Sequence, residues 1–204
     1  LEIWRKTHGA EHPAVAAALA NLGDLLSSQG KLVEAEPLLR EVLAMDRKLL
    51  GNEHPDVGSD LHNLATLLAK QGRGSDAEPL FREALAIRRE TLGSAHPDVA
   101  YPLLGLATLL VENQRAAEAE GLLVECLRIR REQLPPDDWR TALTENVLRR
   151  CLAQEQRYPE AEAYLLESYP KVLAAEAASK QYKREALAAV IALYEAWGRP
   201  EQAA

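Results

Sequence analysis

Residues 50–92 read LGNEHPDVGSDLHNLATLLAKQGRGSDAEPLFREALAIRRETL, and within them lie two apolar stripes at helical spacing. Val57, Leu61, Leu64, Ala65, Leu67 and Leu68 form the first; Ala77, Leu80, Phe81, Ala84, Leu85 and Ile87 form the second. Pro55 lacks an amide hydrogen and suits a first helical turn, and Asp56 complements the positive end of the helix dipole. Gly72 permits the left-handed turn that stops the helix. Pro79 is expected in the first turn of the second helix, which therefore begins near Ser75, and Arg88 and Arg89 suit its negative end. The spacing predicts helices over 55–71 and 75–92, joined by a connection short enough to make them antiparallel.

The same signals recur along the chain. His-Pro stands at 12–13, 54–55 and 96–97, a step of 42 residues, and that step also links Gly30, Gly72 and Gly198, with Gln114 and Gln156 between them. It links Ala35, Ala77, Ala119, Ala161 and Ala203 as well. The chain reads as one array over 1–204: the end of a preceding repeat (1–7), repeats at 8–49, 50–91, 92–133 and 134–175, and a partial fifth at 176–204. A helix pair with one greasy stripe per helix builds no core alone, so pairs must stack and share their faces. The expected fold is an all-α solenoid of antiparallel helix pairs. Leucine (35) and alanine (34) against 20 valines, isoleucines and threonines agree with it.

Composition excludes several classes of function. A net charge of −7 makes an electrostatic nucleic-acid binder a poor fit, and no apolar run is long enough for a membrane span. The two cysteines lie far apart and no secretory leader pattern opens the sequence, so the cytoplasm is the expected compartment. Ile3 and Trp4 fall in the phase that closes a second helix, and Pro200 opens a helix just before the end, so the sequence reads as a piece of a longer protein whose ends stack on other chains.

Leu19-x2-Leu22-Gly23-x2-Leu26, followed by Ala35-x3-Leu39, resembles the tetratricopeptide pattern W-x2-L-G-x2-Y and A-x3-F. The second unit supplies Leu61, Leu64, Ala65, Leu68, Ala77 and Phe81. Gly23, Ala65 and Ala107, with Ala35, Ala77 and Ala119, are where helices should approach closest. The long period, with HPDV, NLA, QG and EAEPL as landmarks, resembles kinesin light chain units and bacterial arrays attached to eukaryotic-like serine/threonine kinases. That resemblance implies a right-handed superhelix and a non-enzymatic module for protein or peptide partners.

The fourth unit lapses, with Glu145 where its siblings have leucine and Arg149 where they have a small residue. Either these two pair on one helical face, or the helix rotates and Trp139, Leu143, Val147 and Cys151 carry the packing. Pro102 and Pro170 each fall inside an expected helix, where a kink is predicted.

Candidate sites divide into structural and functional ones. His12, His54 and His96 stand one layer apart, roughly 10 Å or more, too far to converge on one metal ion. They read as helix-start and inter-repeat hydrogen bonders. Cys126 and Cys151 replace aliphatic residues of sibling units and read as core, and Gly72–Ala77 satisfies G-x-G-x-x-A without the strand a phosphate loop needs. No cofactor, metal or catalytic constellation is expected, and no enzymatic activity. By resemblance, contacts come from the first helix of each pair, beside its packing stripe: Asn21 and Asp24; Ser59, His62, Asn63, Thr66 and Lys70; Tyr101 and Thr108; then Asn146, Arg150 and Gln154. Ala20 and Asp24 replace the first of the two-lysine, two-asparagine set of chaperone-tail binders, so a C-terminal carboxylate is not the expected ligand. The leading expectation is a groove for an extended peptide or a helix. The competing one is a spacer that self-associates end to end.

Overall fold

A computed structural model describes residues 12–136, 138–174 and 180–203, and among them there is helix and no strand. The chain divides into two compact units, Leu1–Gly105 and Leu106–Ala204. The first holds α1 (Pro13–Ser28), α2 (Leu32–Leu50), α3 (Pro55–Lys70), α4 (Gly74–Leu92), a 3-10 turn (Pro97–Val99) and the start of α5 (Ala100–Glu112). The second holds the rest of α5, then α6 (Ala116–Gln133), α7 (Trp139–Gln154), α8 (Tyr158–Ala174), α9 (Lys180–Ala196) and a closing 3-10 turn (Pro200–Ala203). In the first unit α1 packs on α2, α2 on α3 and α3 on α4, and α1 also touches α3. In the second, α6 packs on α7, α7 on α8 and α8 on α9, with α7 touching α9. Contact with the next helix and the next but one is the signature of stacked hairpins, as the period required.

The histidines start helices. Nδ1 of His12, His54 and His96 accepts the backbone N–H two residues on, at 3.1, 3.2 and 3.2 Å, satisfying a donor that the first turn leaves open. At α7, where the histidine is missing, Asp138 Oδ1 does the same for Arg140 N at 2.9 Å.

Within each pair the helices are joined by three residues, the middle one left-handed: φ is +76° at Gly30 and Gly72, +71° at Gly198, and +61° at both Gln114 and Gln156. The residue after it donates back five positions in every case, Lys31 to Leu26, Arg73 to Leu68, Arg115 to Leu110, Arg157 to Leu152 and Arg199 to Tyr194, all at 2.8–2.9 Å. This is a Schellman closure, for which glycine is the natural residue. The glutamines adopt it against the steric preference of an L side chain, so the packing of the flanking helices fixes the turn.

The core is the shared stripe. Val57, Leu61, Leu64, Ala65, Leu67 and Leu68 of α3 are at most 1% exposed, and on α4 Ala77, Phe81 and Ala84 are no more than 2% exposed. Close approach is real at Gly23, where a Cβ would stand 2.7 Å from Leu39. It is tighter still at Gly105, where a Cβ would meet the Phe81 ring at 2.5 Å. The one bulky ring in this packing column faces the position with no side chain.

Four expectations need correction. Helix α4 begins at Gly74, so Pro79 lies in its second turn, as Pro37 does in α2. Each proline lies on an exposed face, so the carbonyl left without its helical partner stands on the solvent side. Pro102, expected to kink a helix interior, lies in the first turn of α5, because the preceding residues 97–99 form a 3-10 turn. Of the residues expected to carry the packing, Val147 and Cys151 are 5% and 0% exposed but Trp139 is 45% exposed, and Glu145 and Arg149 are themselves 0% and 4% exposed, so α7 has not rotated them outward. Their partners differ from the anticipated pairing as well. Glu145 meets Arg131 of α6 at 2.9 Å, and Arg149 donates to Asn146 at 3.0 Å. Helix α8 runs through Pro170 without a break. Ile3 and Trp4 lie outside the described residues.

Gln114→Gly and Gln156→Gly should each raise stability by about 0.5–1 kcal/mol by relieving the left-handed strain. Urea unfolding measures this, and glycine variants no more stable than the parent would show that the turn is unstrained.

Candidate functional site

Each first helix presents a polar row beside its buried stripe, because residues three and four apart share a face while the stripe takes the adjacent one. On α3 that row holds the expected Ser59, His62, Asn63, Thr66 and Lys70; Ser59, His62, Asn63 and Thr66 are half-buried and Lys70 is exposed. On α1 Asn21 and Asp24 are exposed, and on α5 Tyr101 keeps 38% of its surface. Partial burial lifts the Asp24 carboxyl above its ordinary value while the Lys70 ammonium pulls it down, which places these two charges in reach of one another.

Four groups converge around Arg88. The His62 ring lies 6.3 Å from the Tyr101 ring, edge to face, and 5.6 Å from Phe81. The Arg88 guanidinium is 6.0 Å from the Tyr101 ring centre and donates to Ser59 Oγ at 3.0 Å and to the Asp98 carbonyl at 2.6 Å. Burial first, and the Arg88 charge second, push the His62 imidazole down to about 4, so it is neutral near pH 7. Its Nδ1 is buried and has no hydrogen-bond partner. The Ser59 and Thr66 hydroxyls turn back to the carbonyls of Pro55 and His62 at 3.2 and 2.9 Å.

The sequence reading assigned Arg88 to the negative end of its own helix dipole. Instead the side chain is 7% exposed and crosses to the next repeat. Its acceptor explains why. Asp98 lies four residues before Pro102, so in an ordinary helix its carbonyl would take the amide hydrogen that proline lacks. Arg88 supplies that hydrogen bond. One step of 42 later Arg130, 4% exposed, bonds the Arg140 carbonyl and Thr144 Oγ1 in the same way. The signal was present as arginine at 88 and 130 with a proline fourteen residues after the first. Only packing brings the two ends together.

In the second unit the expected residues are more occupied. Gln154 Nε2 donates to the Val111 carbonyl at 2.8 Å, an inter-helix bond rather than an open groove position. Asn146 Oδ1 takes Arg149, and Thr108 and Arg150 are half-buried. Burial, with Arg150 beside it, lowers the Arg149 guanidinium to about 10. The cysteines are buried and form no disulfide: Cys126 contacts Thr144 Oγ1 at 3.7 Å, and Cys151 donates to the Ala116 carbonyl at 3.2 Å. Burial raises both thiols, Cys151 to about 11. Among the described residues no three histidine, cysteine or acidic side chains are grouped to hold a metal, and no helix is long and apolar enough to cross a membrane.

The tetratricopeptide repeat family model matches residues 1–48, 28–86 and 59–132. No curated protein matches the chain in sequence. Among solved structures, the nearly identical TPR-like repeats of a Podosopora anserina protein assigned as a kinesin light chain superpose with TM-score 0.78 at 24% identity, covering 95% of this chain and 92% of that one. BtubC (BKLC) from P. vanneervenii superposes with TM-score 0.79 at 23% identity, covering 93% and 76%. YrrB, described as a TPR protein with an unusual peptide-binding site, gives 0.60 at 16%, covering 99% and 85%. At these identities the likeness is one of fold.

Arg88→Met should destabilise the array by about 2–3 kcal/mol, because the Asp98 carbonyl is left without a donor. In a double-mutant cycle with Pro102→Ala the loss should shrink, since an amide hydrogen then returns at 102. Additive effects of the two substitutions in urea unfolding would remove the link between them.

Proposed function

The chain belongs to the tetratricopeptide repeat family, and from that premise we propose that it is a protein-interaction module whose polar row on α1, α3 and α5 takes an extended peptide or partner segment. Arrays of this family are generally scaffolds for protein partners, not enzymes. The observation that supports a binding face here is His62: a neutral ring, held between Phe81 and Tyr101, with a buried Nδ1 that has no partner. A buried polar nitrogen left open costs about 1–3 kcal/mol, and a ligand hydrogen bond would recover that. Asn63, next to it, carries an amide that both donates and accepts, which matches the main chain of an extended peptide. Tyr101 adds an exposed ring with a polar tip, the residue type that dominates contact energy at interfaces. Asn21, Asp24 and Lys70 extend the row with one acidic and one basic group, so charge fixes register. The second unit, taken by itself, offers Asn146 and Arg150 as its own polar positions, and Gln154 is not among them, because its amide is already engaged.

A second reading, self-association, draws on Leu187 and Ile191. They lie four apart on α9 and are 46% and 39% exposed, an apolar pair fit to meet a second copy of the chain. Light scattering of Leu187→Glu with Ile191→Glu separates this reading from the groove. The cytoplasm remains the compartment we propose.

Peptides selected from a random library on the intact chain give the test. Asn63→Ala and Tyr101→Ala should each weaken a selected peptide at least about tenfold while leaving the unfolding midpoint in place. Selected peptides indifferent to both substitutions would refute the groove.

A further inference from the structure

Where the sibling units carry Gly23, Ala65 and Ala107, the fourth carries Arg149. At Gly23 even a Cβ would stand 2.7 Å from Leu39, so a long side chain at this position has to leave the hairpin interior along the surface of its own helix. Arg149 does so: its Nη2 donates to Asn146 Oδ1, one turn back on α7, at 3.0 Å. The residue is 4% exposed, and its Nε is buried with no partner. Arg150 shares the face of Asn146, four residues on, and both are half-buried. No sibling repeats that arginine, since position 24 is aspartate and 66 and 108 are threonine.

These three side chains have only donors to offer. A guanidinium accepts nothing, and Asn146 has given its oxygen to Arg149, which leaves the Nδ2 hydrogens. Among the described residues neither Arg149 nor Arg150 meets an acid, in a chain of net charge −7. The arginines around them are paired: Arg131 with Glu145 and Glu167, Arg140 with Asp138, and Arg157 with Glu120. Glu145, one turn before Arg149, is thus drawn to α6 instead. We infer that Asn146, Arg149 and Arg150 form a site on α7 for a doubly charged oxyanion, the dianion of phosphate or of a phosphate monoester. Two cations without an acid are balanced by one dianion, whereas a carboxylate would leave one of them buried and uncompensated. Phosphate also carries enough acceptor oxygens to meet the Arg150 fork and the Asn146 amide together, with the Arg149 charge behind them. Burial, then the Arg150 charge, lower Arg149 to about 10, so it is still cationic near pH 7. The inference concerns the second unit alone and does not rest on the row of α1, α3 and α5.

Proton–nitrogen NMR of the intact chain at about pH 7 and constant ionic strength reads the Asn146 side-chain amide and the Arg149 Nε–H. The probes are inorganic phosphate and a capped peptide with one phosphoserine, set against the same peptide carrying serine or glutamate. Phosphate should shift both signals saturably and bind at least about tenfold more tightly than the glutamate peptide. Inorganic phosphate binding as tightly as the phosphopeptide, or more so, identifies the free ion as the ligand; tighter binding of the phosphopeptide identifies a phosphorylated partner, and either result supports the site. Arg150→Gln should weaken phosphate roughly tenfold or more. Asn146→Asp gives Arg149 an acid of its own and should abolish the response. The proposal is overturned by the absence of a saturable shift up to about 10 mM of either phosphate probe, by a glutamate peptide that binds as well as the phosphopeptide, or by an undiminished response in Arg150→Gln or Asn146→Asp.

Discussion

Helix α3 buries eight of its sixteen residues, on flanks that face both α2 and α4. A lone hairpin has no second flank to cover, and that shortage is the constraint from which the rest of the structure follows. The burial of Leu61, Leu64, Leu67 and Leu68 contributes roughly 1.5–3 kcal/mol each relative to exposure, but only while a neighbouring repeat is present. Small residues at Ala65 and Ala77 let the layers close, and the bare Gly105 position lets Phe81 stand where sibling units carry leucine.

Polar groups at the junctions obey the same constraint, because each stacked layer desolvates whatever faces it. Arg88 and Arg130 are tolerated there since each meets a backbone carbonyl to bond, that of Asp98 and that of Arg140. Outside the apolar stripe, an ion pair recurs two steps of 42 apart: Arg73 with Glu36 of the preceding repeat at 2.8 Å, and Arg157 with Glu120 at 2.7 Å. These are partly exposed and contribute little each. Their value is in fixing register between layers, whereas the buried contacts supply the stability.

The architecture was legible because its evidence is redundant. The His-Pro starts, the Gly30 and Gly72 stops and the alanine column each carry the 42-residue step, so losing one of them at Gln114 or Asp138 does not hide it. What escaped the sequence depends on two residues from different helices. The role of Arg88 needs Pro102 beside it in space, and the Arg131–Glu145 pair joins side chains fourteen apart on successive helices. Trp139 misled for a related reason: apolar character predicts burial only if the helix start leaves the residue on the inner face, and Asp138 sets α7 with Trp139 outward. The groove row was legible as a row of exposed positions, yet Gln154 was indistinguishable from its open siblings until Val111 appeared opposite it.

The left-handed turns at Gln114 and Gln156 have a consequence for how such a chain changes over generations. Since the flanking helices impose the turn, its central residue is released from the requirement to be glycine and is free to drift. A substitution there leaves the layer intact, and at 114 and 156 a polar side chain stands at the rim of the hairpin. Repeats that began as copies thereby acquire individual edges, and an array of equivalent modules becomes one whose members are distinguishable from outside.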